Sequence, residues 1–295
     1  MLGLVLVLGA FLVLFSIRGE LGKFVSLGNA QVLIHGHTYL AVAALGMLVI
    51  IISGGIDLST GSVVALVTVA TMQVYRGLFS RYGAAGSASV VAIAAGIGVG
   101  GLCGCINGLV ITRLRVIPFV VTLGMLSIAR GAALWLADRQ TLNFPVGGRP
   151  DWVAALSVVG SRTFVFEPGF WIMLALAVAL GVTLHRTVLG RYCYAIGSNE
   201  ATTRLCGVRV ERYKVVFYTL GGLFAGVAGV LLFAQVGGDP NCAQALELQV
   251  IAAVVIGGAS LTGGRGTVVG TLIGVLILAI LKNGVDNFNV AVELQ

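Results

Sequence analysis

Long apolar runs, separated by short polar or glycine-rich breaks, recur along this chain from its first residues to its last. A helix needs about 20 apolar residues to cross about 30 Å of hydrocarbon. Candidates fall at residues 2–17, 30–53, 61–75, 87–111, 117–136, 168–184, 215–236, 247–261 and 267–283. That makes about nine spans, several of them short, as tilted or broken helices would be. Residues 2–17 lack the basic start and small-residue cleavage site of a signal peptide, so they read as a helix that stays. Composition agrees: 58% of residues are hydrophobic and 10% charged, against roughly 25% charged in a soluble domain. The fold expected is all-α, a polytopic transmembrane helical bundle forming one domain over residues 1–295.

The charges that remain are not evenly spread. Six of the 18 Lys and Arg residues lie between Arg186 and Lys214, in a polar island between apolar segments. Positive charge accumulates in loops on the cytoplasmic side. A cytoplasmic N-terminus then places Arg113, Arg115 and the 185–214 loop inside, with residues 138–166 as a long external loop. Arg76, Arg81, Arg139, Arg149 and Arg162 fall outside and run against that trend. A net charge of +7 invites a nucleic-acid reading, but no aromatic-interleaved basic patch or recognition motif is present.

Glycines, 43 in all, sit inside the apolar runs. Gly96, Gly100, Gly104 and Gly108 share one helix face, as do Gly222 with Gly226, and Gly266, Gly270 and Gly274. Such ribbons let a neighbouring helix come close. The match Gly96-x-Gly98-x-x-Gly101 to a dinucleotide fingerprint lies within an apolar helix, without the strand that motif requires. Two glycine-rich breaks resemble each other, Gly54 to Ser62 and Gly257 to Gly264. Paired interruptions point to a transporter built from repeats, and they equally suit two ordinary interhelical turns.

Few residues offer chemistry. Asp57 reads as a cap for the helix starting near Ser59, with a pathway or gating role as the alternative. Glu247 suits a helix N-terminus through the dipole or a solute cavity. Arg130 reads as structural, snorkelling or facing the bundle. His35 and His37 are two residues where a metal site needs three or four ligands. The five cysteines show no paired or metal spacing. The sequence has no Gly-x-x-x-x-Gly-Lys-Ser/Thr loop for nucleotide phosphates, so energy must come from elsewhere, and no cofactor is expected.

Read in order, several segments resemble one family. They are Ser53-Gly54-Gly55-Ile56-Asp57-Leu58-Ser59-Thr60-Gly61-Ser62, Asn107-Gly108, Pro118-Phe119-Val120-Val121-Thr122-Leu123-Gly124 and Arg130-Gly131. Then come Leu189-Gly190-Arg191, Ala195-Ile196-Gly197-Ser198-Asn199-Glu200-Ala201, Arg204-Leu205 and Gly207, and last Glu247 with Ile251 to Gly258 and Ser260 to Gly264. Together they look like the permease subunit of bacterial ABC sugar importers of the ribose and xylose type, related to the branched-chain amino-acid permeases.

That resemblance implies an inner-membrane permease homodimer, a separate cytoplasmic ABC ATPase and an external sugar-binding protein. It implies an ATPase-coupling loop carrying Gly190, Arg191, Gly197, Asn199, Glu200, Arg204 and Gly207. Arg191, Asn199, Glu200 and Arg204 would offer it charge-assisted contacts. Translocation-pathway or gating positions would be Asp57, Asn107, Phe119, Thr122 and Glu247. Relatives start with a polar tail and continue past the ninth span, so a final helix is expected beyond Gln295. Gln249 stands where many relatives carry an acid, and that acid's role does not transfer. The competing readings are a stand-alone secondary carrier or channel, which would need ionisable groups within the spans, and an intramembrane enzyme, for which no nucleophile–base pair or metal set is present.

Overall fold

The computed structural model describes residues 25–82, 86–157 and 166–287, together with Gly9 and Gly22; the span expected at 2–17 lies outside them. Among the described residues the elements are α1 (Leu27–Ile52), α2 (Thr60–Tyr82), α3 (Gly86–Leu114), α4 (Pro118–Leu136), α5 (Asp151–Ser157) and α6 (Pro168–Arg186). They continue with α7 (Val188–Ser198), α8 (Glu200–Leu205), α9 (Val210–Val236), α10 (Leu246–Ile256) and α11 (Val268–Asn287). Seven of these helices are long and apolar enough to cross a membrane. The only strand-like pairing among the described residues is one antiparallel bridge between Leu142 and Gly238.

Local sequence explains the boundaries. Proline stands at the start of α4 and of α6, where its missing N–H is an orphan anyway. The Ser26 side chain accepts from the Asn29 N–H at 3.1 Å and caps α1. Two expectations change. The span expected at 247–261 is an 11-residue helix, about 16 Å long at 1.5 Å per residue, because Gly257 and Gly258 stop it. The 185–214 segment is two short helices rather than an irregular loop. Thr187 caps the first and Asn199 the second, and Ser, Thr and Asn at such positions satisfy otherwise free amides.

The core is built around α1 and α9. From Leu40 to Ile52 every residue of α1 is buried, and α9 from Ala228 to Ala234, near its C-terminal end, is buried likewise. Lipid tails are as apolar as leucine, so these helices gain little by leaving lipid and hold together by close packing. The glycine ribbons supply it. A Cβ at Gly100 would lie 2.7 Å from Gly226 Cα, and one at Gly104 would lie 3.0 Å from Gly222 Cα. Gly108 faces Val215, and Gly270 and Gly274 face Gly257 and Ala253 across the α10–α11 contact. Gly266 lies before α11 starts, so it does not extend that helix's ribbon.

The two ends of the bundle differ. At one, the Tyr75 hydroxyl donates to Gly148 O at 2.6 Å and Arg76 donates to Asn143 O at 2.7 Å. There Glu167, buried before α6, pairs with His35 and accepts from the Thr38 hydroxyl at 3.2 Å. His37 donates instead to Leu33 O at 2.9 Å. The other end carries α7, α8, the α3–α4 turn and both glycine breaks.

Close approach gives a direct test. Gly104→Leu would drive a side chain into the α9 backbone and should cost about 3 kcal/mol, the upper end of ordinary overpacking. Gly98, on the same helix, has nothing within 4 Å of its added Cβ. Gly98→Leu should therefore leave the thermal midpoint in detergent unchanged while Gly104→Leu lowers it by several degrees.

Candidate functional site: a helical protrusion seated on two broken helices

Both breaks stop a helix in the same way. At the end of α1, the Ser53 N–H donates to Val49 O at 3.1 Å, Gly54 to Ile51 O at 2.9 Å and Gly55 to Ile50 O at 3.0 Å. At the end of α10, Gly257 donates to Ala253 O at 2.9 Å, Gly258 to Val255 O at 2.9 Å and Ala259 to Val254 O at 3.1 Å. Gly54 and Gly258 carry the positive φ angles of +83° and +91° that this Schellman ending needs. The likeness of the two segments in sequence is therefore a likeness of backbone.

The helical hairpin α7–α8 sits on both breaks at once. Gly190 starts it, pressed against the Leu184 backbone where a Cβ would have no room. The Cys193 thiol donates to Val49 O at 3.4 Å, at the end of α1. The Tyr194 hydroxyl donates to Gly266 O at 2.8 Å, beyond α10. Gly197 is the wedge: an added Cβ would run into the Ile52 carbonyl and stand 2.6 Å from Gly264 N. Directly across that point the Gly264 N–H donates to Ile52 O at 2.8 Å. Three chain segments meet main chain to main chain, with no side chain between them to flex.

Past Gly197 the polar residues bond to one another. Asn199 turns the chain, and its side-chain oxygen accepts from the Thr202 N–H at 2.9 Å. Glu200 accepts from Lys214 at 2.6 Å and from Arg204 at 3.1 Å, and Arg204 also pairs with Glu211. Gly207 ends α8 with a φ of +83°. Asn199, Glu200 and Arg204 are thus bonded within the chain, where they brace α8 against the start of α9. Arg191 is exposed and has no protein partner among the described residues.

The expected pathway residues fall into two groups. Asp57 is buried, and one of its carboxylate oxygens accepts from the Ser59 N–H at 2.8 Å and the Ser59 hydroxyl at 2.5 Å, the arrangement of a turn leading into α2. The Asn107 amide donates to Ser59 Oγ at 3.0 Å, and the buried Thr122 hydroxyl reaches Ile56 O at 3.5 Å. Glu247, half-buried in the first turn of α10, packs beside Gly61. These four residues converge where α2 and α10 begin. Phe119 is not one of them and is 48% exposed. The Tyr218 hydroxyl and Asn107 Oδ1, both buried and without a hydrogen-bond partner among the described residues, belong to this region. Nothing in the spacing of an α9 tyrosine pointed to it.

The lead-in to α10 is held by backbone. Arg130 donates to Pro240 O at 2.7 Å and to Cys242 O at 2.9 Å, and the Thr68 hydroxyl lies 3.2 Å from Asp239 O. The structural role expected of Arg130 is the one it has. Ala243 and Ala245 take left-handed φ angles of +55° and +57°, a strain that persists only where surroundings fix it.

A bundle of membrane-crossing helices, two of its elements broken at glycine and its interior polar residues gathered at helix starts, defines a multi-pass membrane transport protein. The chain belongs to the family of branched-chain amino acid transport system permease components, whose pattern it matches over residues 31–295. It is 36% identical over 291 residues to the ribose import permease protein RbsC of Escherichia coli K12, covering 97% of this chain and 87% of that one. It is 38% identical over 263 residues to the ribose import permease protein RbsC of Bacillus subtilis, covering 88% and 76%. A third relative, the fructose import permease protein FrcC of Rhizobium meliloti, is 34% identical over 274 residues, covering 89% and 72%. No solved structure matches the chain.

The Glu200 network makes a pH prediction. Burial alone would raise the Glu200 carboxyl, but Lys214 and Arg204 outweigh it and hold it below the ordinary carboxylate range. A depressed acid stabilises above its unfolded value and loses that contribution as pH falls through its folded value. The side chains are partly exposed, so the pair is worth about 1 kcal/mol or less. Lys214→Met should lower stability slightly at pH 7 and by less as the pH falls through the acid range, measured by thermal denaturation of the purified protein.

Proposed function

We propose that this chain is the membrane-crossing permease subunit of a bacterial ABC importer, passing a sugar delivered by an external binding protein and driven by a separate cytoplasmic ATPase. The solute class follows the printed names of the relatives, which are ribose and fructose import permeases. The observation that carries the reading is the seat of Gly197 between the α1 and α10 breaks. The sequence has no phosphate-binding loop, so work must enter by contact. A push on α7–α8 would move both breaks together, because their contact is backbone on backbone. The starts of α2 and α10, with Asp57 and Glu247, would move with them.

The charge at the protrusion end supports a cytoplasmic placement. Arg113, Arg115, Arg186, Arg191, Arg204, Arg209 and Arg212 lie there, joined by Lys214 and Arg265, against Glu200, Glu211 and the buried Asp57. On this reading α10 also supports a second copy of the chain. Gln244 and Gln249 are exposed beside the half-buried Glu247, at a depth set by the contact with Gly61. Polar groups at such depth face water or protein rather than lipid, and a second permease across a shared path would provide both.

Arg191→Glu should insert and fold normally but lose association with the ATPase and lower ATP-driven uptake by at least about tenfold, the loss of a hydrogen-bonded charge contact. Normal uptake with an unchanged complex would sink the assignment of the protrusion. Gradient-driven uptake by the chain reconstituted alone would favour a stand-alone carrier instead.

A further inference from the structure

At the protrusion end, where the glycine contact between α3 and α9 gives way, lie two cavities that share Arg212. One, about 260 Å³, is lined by Leu109, Thr112, Arg113, Arg212 and Val215. The other, about 410 Å³, is lined by Tyr192, Gly207, Arg209, Arg212, Tyr213 and Val216. Glu211 also borders the smaller cavity, but Arg204 pairs with it. Arg113, Arg209 and Arg212 are exposed and have no protein partner among the described residues. The local charge is therefore positive and unspent.

Beneath these arginines the surface turns apolar. Leu102, Ile106 and Leu109 lie at helical spacing along one exposed face of α3, at 61%, 40% and 41% exposure. This stripe runs up to Arg113 on the side of α3 opposite the glycines that meet α9, and Val216 of α9, which lines the larger cavity, is 37% exposed. Tyr192 and Tyr213 meet edge to face at 4.8 Å between ring centres beside the larger cavity, and such rings favour the headgroup level. A cationic mouth over an apolar strip fits one molecule with an anionic head and a hydrocarbon tail.

We infer that this surface is a binding site for an anionic phospholipid, its phosphate held by Arg113, Arg209 and Arg212 and one acyl chain lying along Leu102, Ile106 and Leu109 below Arg113. Basic pockets between membrane helices bind anionic headgroups in this manner. A free phosphate would use the arginines but not the strip below them. The site adjoins Gly207, the left-handed joint between α8 and α9, so an occupant would touch the base of the protrusion. The inference rests on the membrane setting and not on the solute or the ATPase.

The test is lipid retention by the full chain, purified from vesicles of phosphatidylcholine alone or mixed with phosphatidylglycerol and examined by native mass spectrometry. The wild-type protein should retain phosphatidylglycerol in preference. Neutralising Arg113, Arg209 and Arg212 to Gln should weaken retention by about fivefold per arginine, as each is worth about 1 kcal/mol near an anionic surface. Lysine at the same three positions should restore most of it. Arg76→Gln, at the opposite end, should change nothing. Equal retention of the two lipids would overturn the proposal, as would stabilisation by inorganic phosphate equal to that by phosphatidylglycerol. So would a triple variant that keeps the lipid and loses only the ATPase, since the arginines would then serve a protein partner.

Discussion

The structure turns on one contact without side chains. At Gly197 the α7 backbone lies against the Ile52 carbonyl and the Gly264 amide, so two helix ends and the protrusion share a single point. Side-chain contacts can adjust through rotamers, whereas backbones in contact move as one body. In a bilayer, where apolar helices gain little by associating, such close contacts also supply much of the cohesion. The same device joins α3 to α9 and α10 to α11. The bundle is rigid where force would enter and where its longest helices cross.

Against that rigid frame, the interior polar residues gather where helices begin. Asp57 is engaged by Ser59, Ser59 by Asn107, and Glu247 rests beside Gly61. Helix starts carry unsatisfied amides and a partial positive charge, so acids there are stabilised without a cationic partner. This accounts for one buried and one half-buried carboxylate, Asp57 and Glu247, with no arginine or lysine bonded to either among the described residues. It also explains why both the cap and the pathway readings of Asp57 could be drawn from sequence: one position serves the helix start and faces the interior.

Much of this was legible in the sequence. Apolar run length found the crossing helices, and four-residue glycine spacing found the close contacts. The paired Gly-Gly segments marked two helix endings that share one set of hydrogen bonds. What sequence missed has a physical reason. Hydropathy alone cannot tell a half-length helix from a full one when the residues after Ile256 stay apolar up to Leu261. The island from Arg186 to Lys214 read as charge offered to a partner, yet Glu200, Arg204, Glu211 and Lys214 bond to one another, because one turn of α8 brings Glu200 to Arg204 and the turn at Gly207 folds the start of α9 back onto them. Tyr218 was invisible, since one tyrosine among the five aromatics of α9 carries no pattern of its own. The seat of Gly197 joins residues far apart in the chain and needed coordinates.

The grip of Arg130 on Pro240 and Cys242 is on carbonyl oxygens, and Thr68 likewise meets the carbonyl of Asp239. Every amino acid brings the same carbonyl, so the approach to the half-helix is anchored without regard to which residues occupy it. Side chains there, such as the exposed Asn241 and Gln244, are left free to be exchanged one at a time. A protein held in this way keeps its architecture constant while the lining of that segment diversifies.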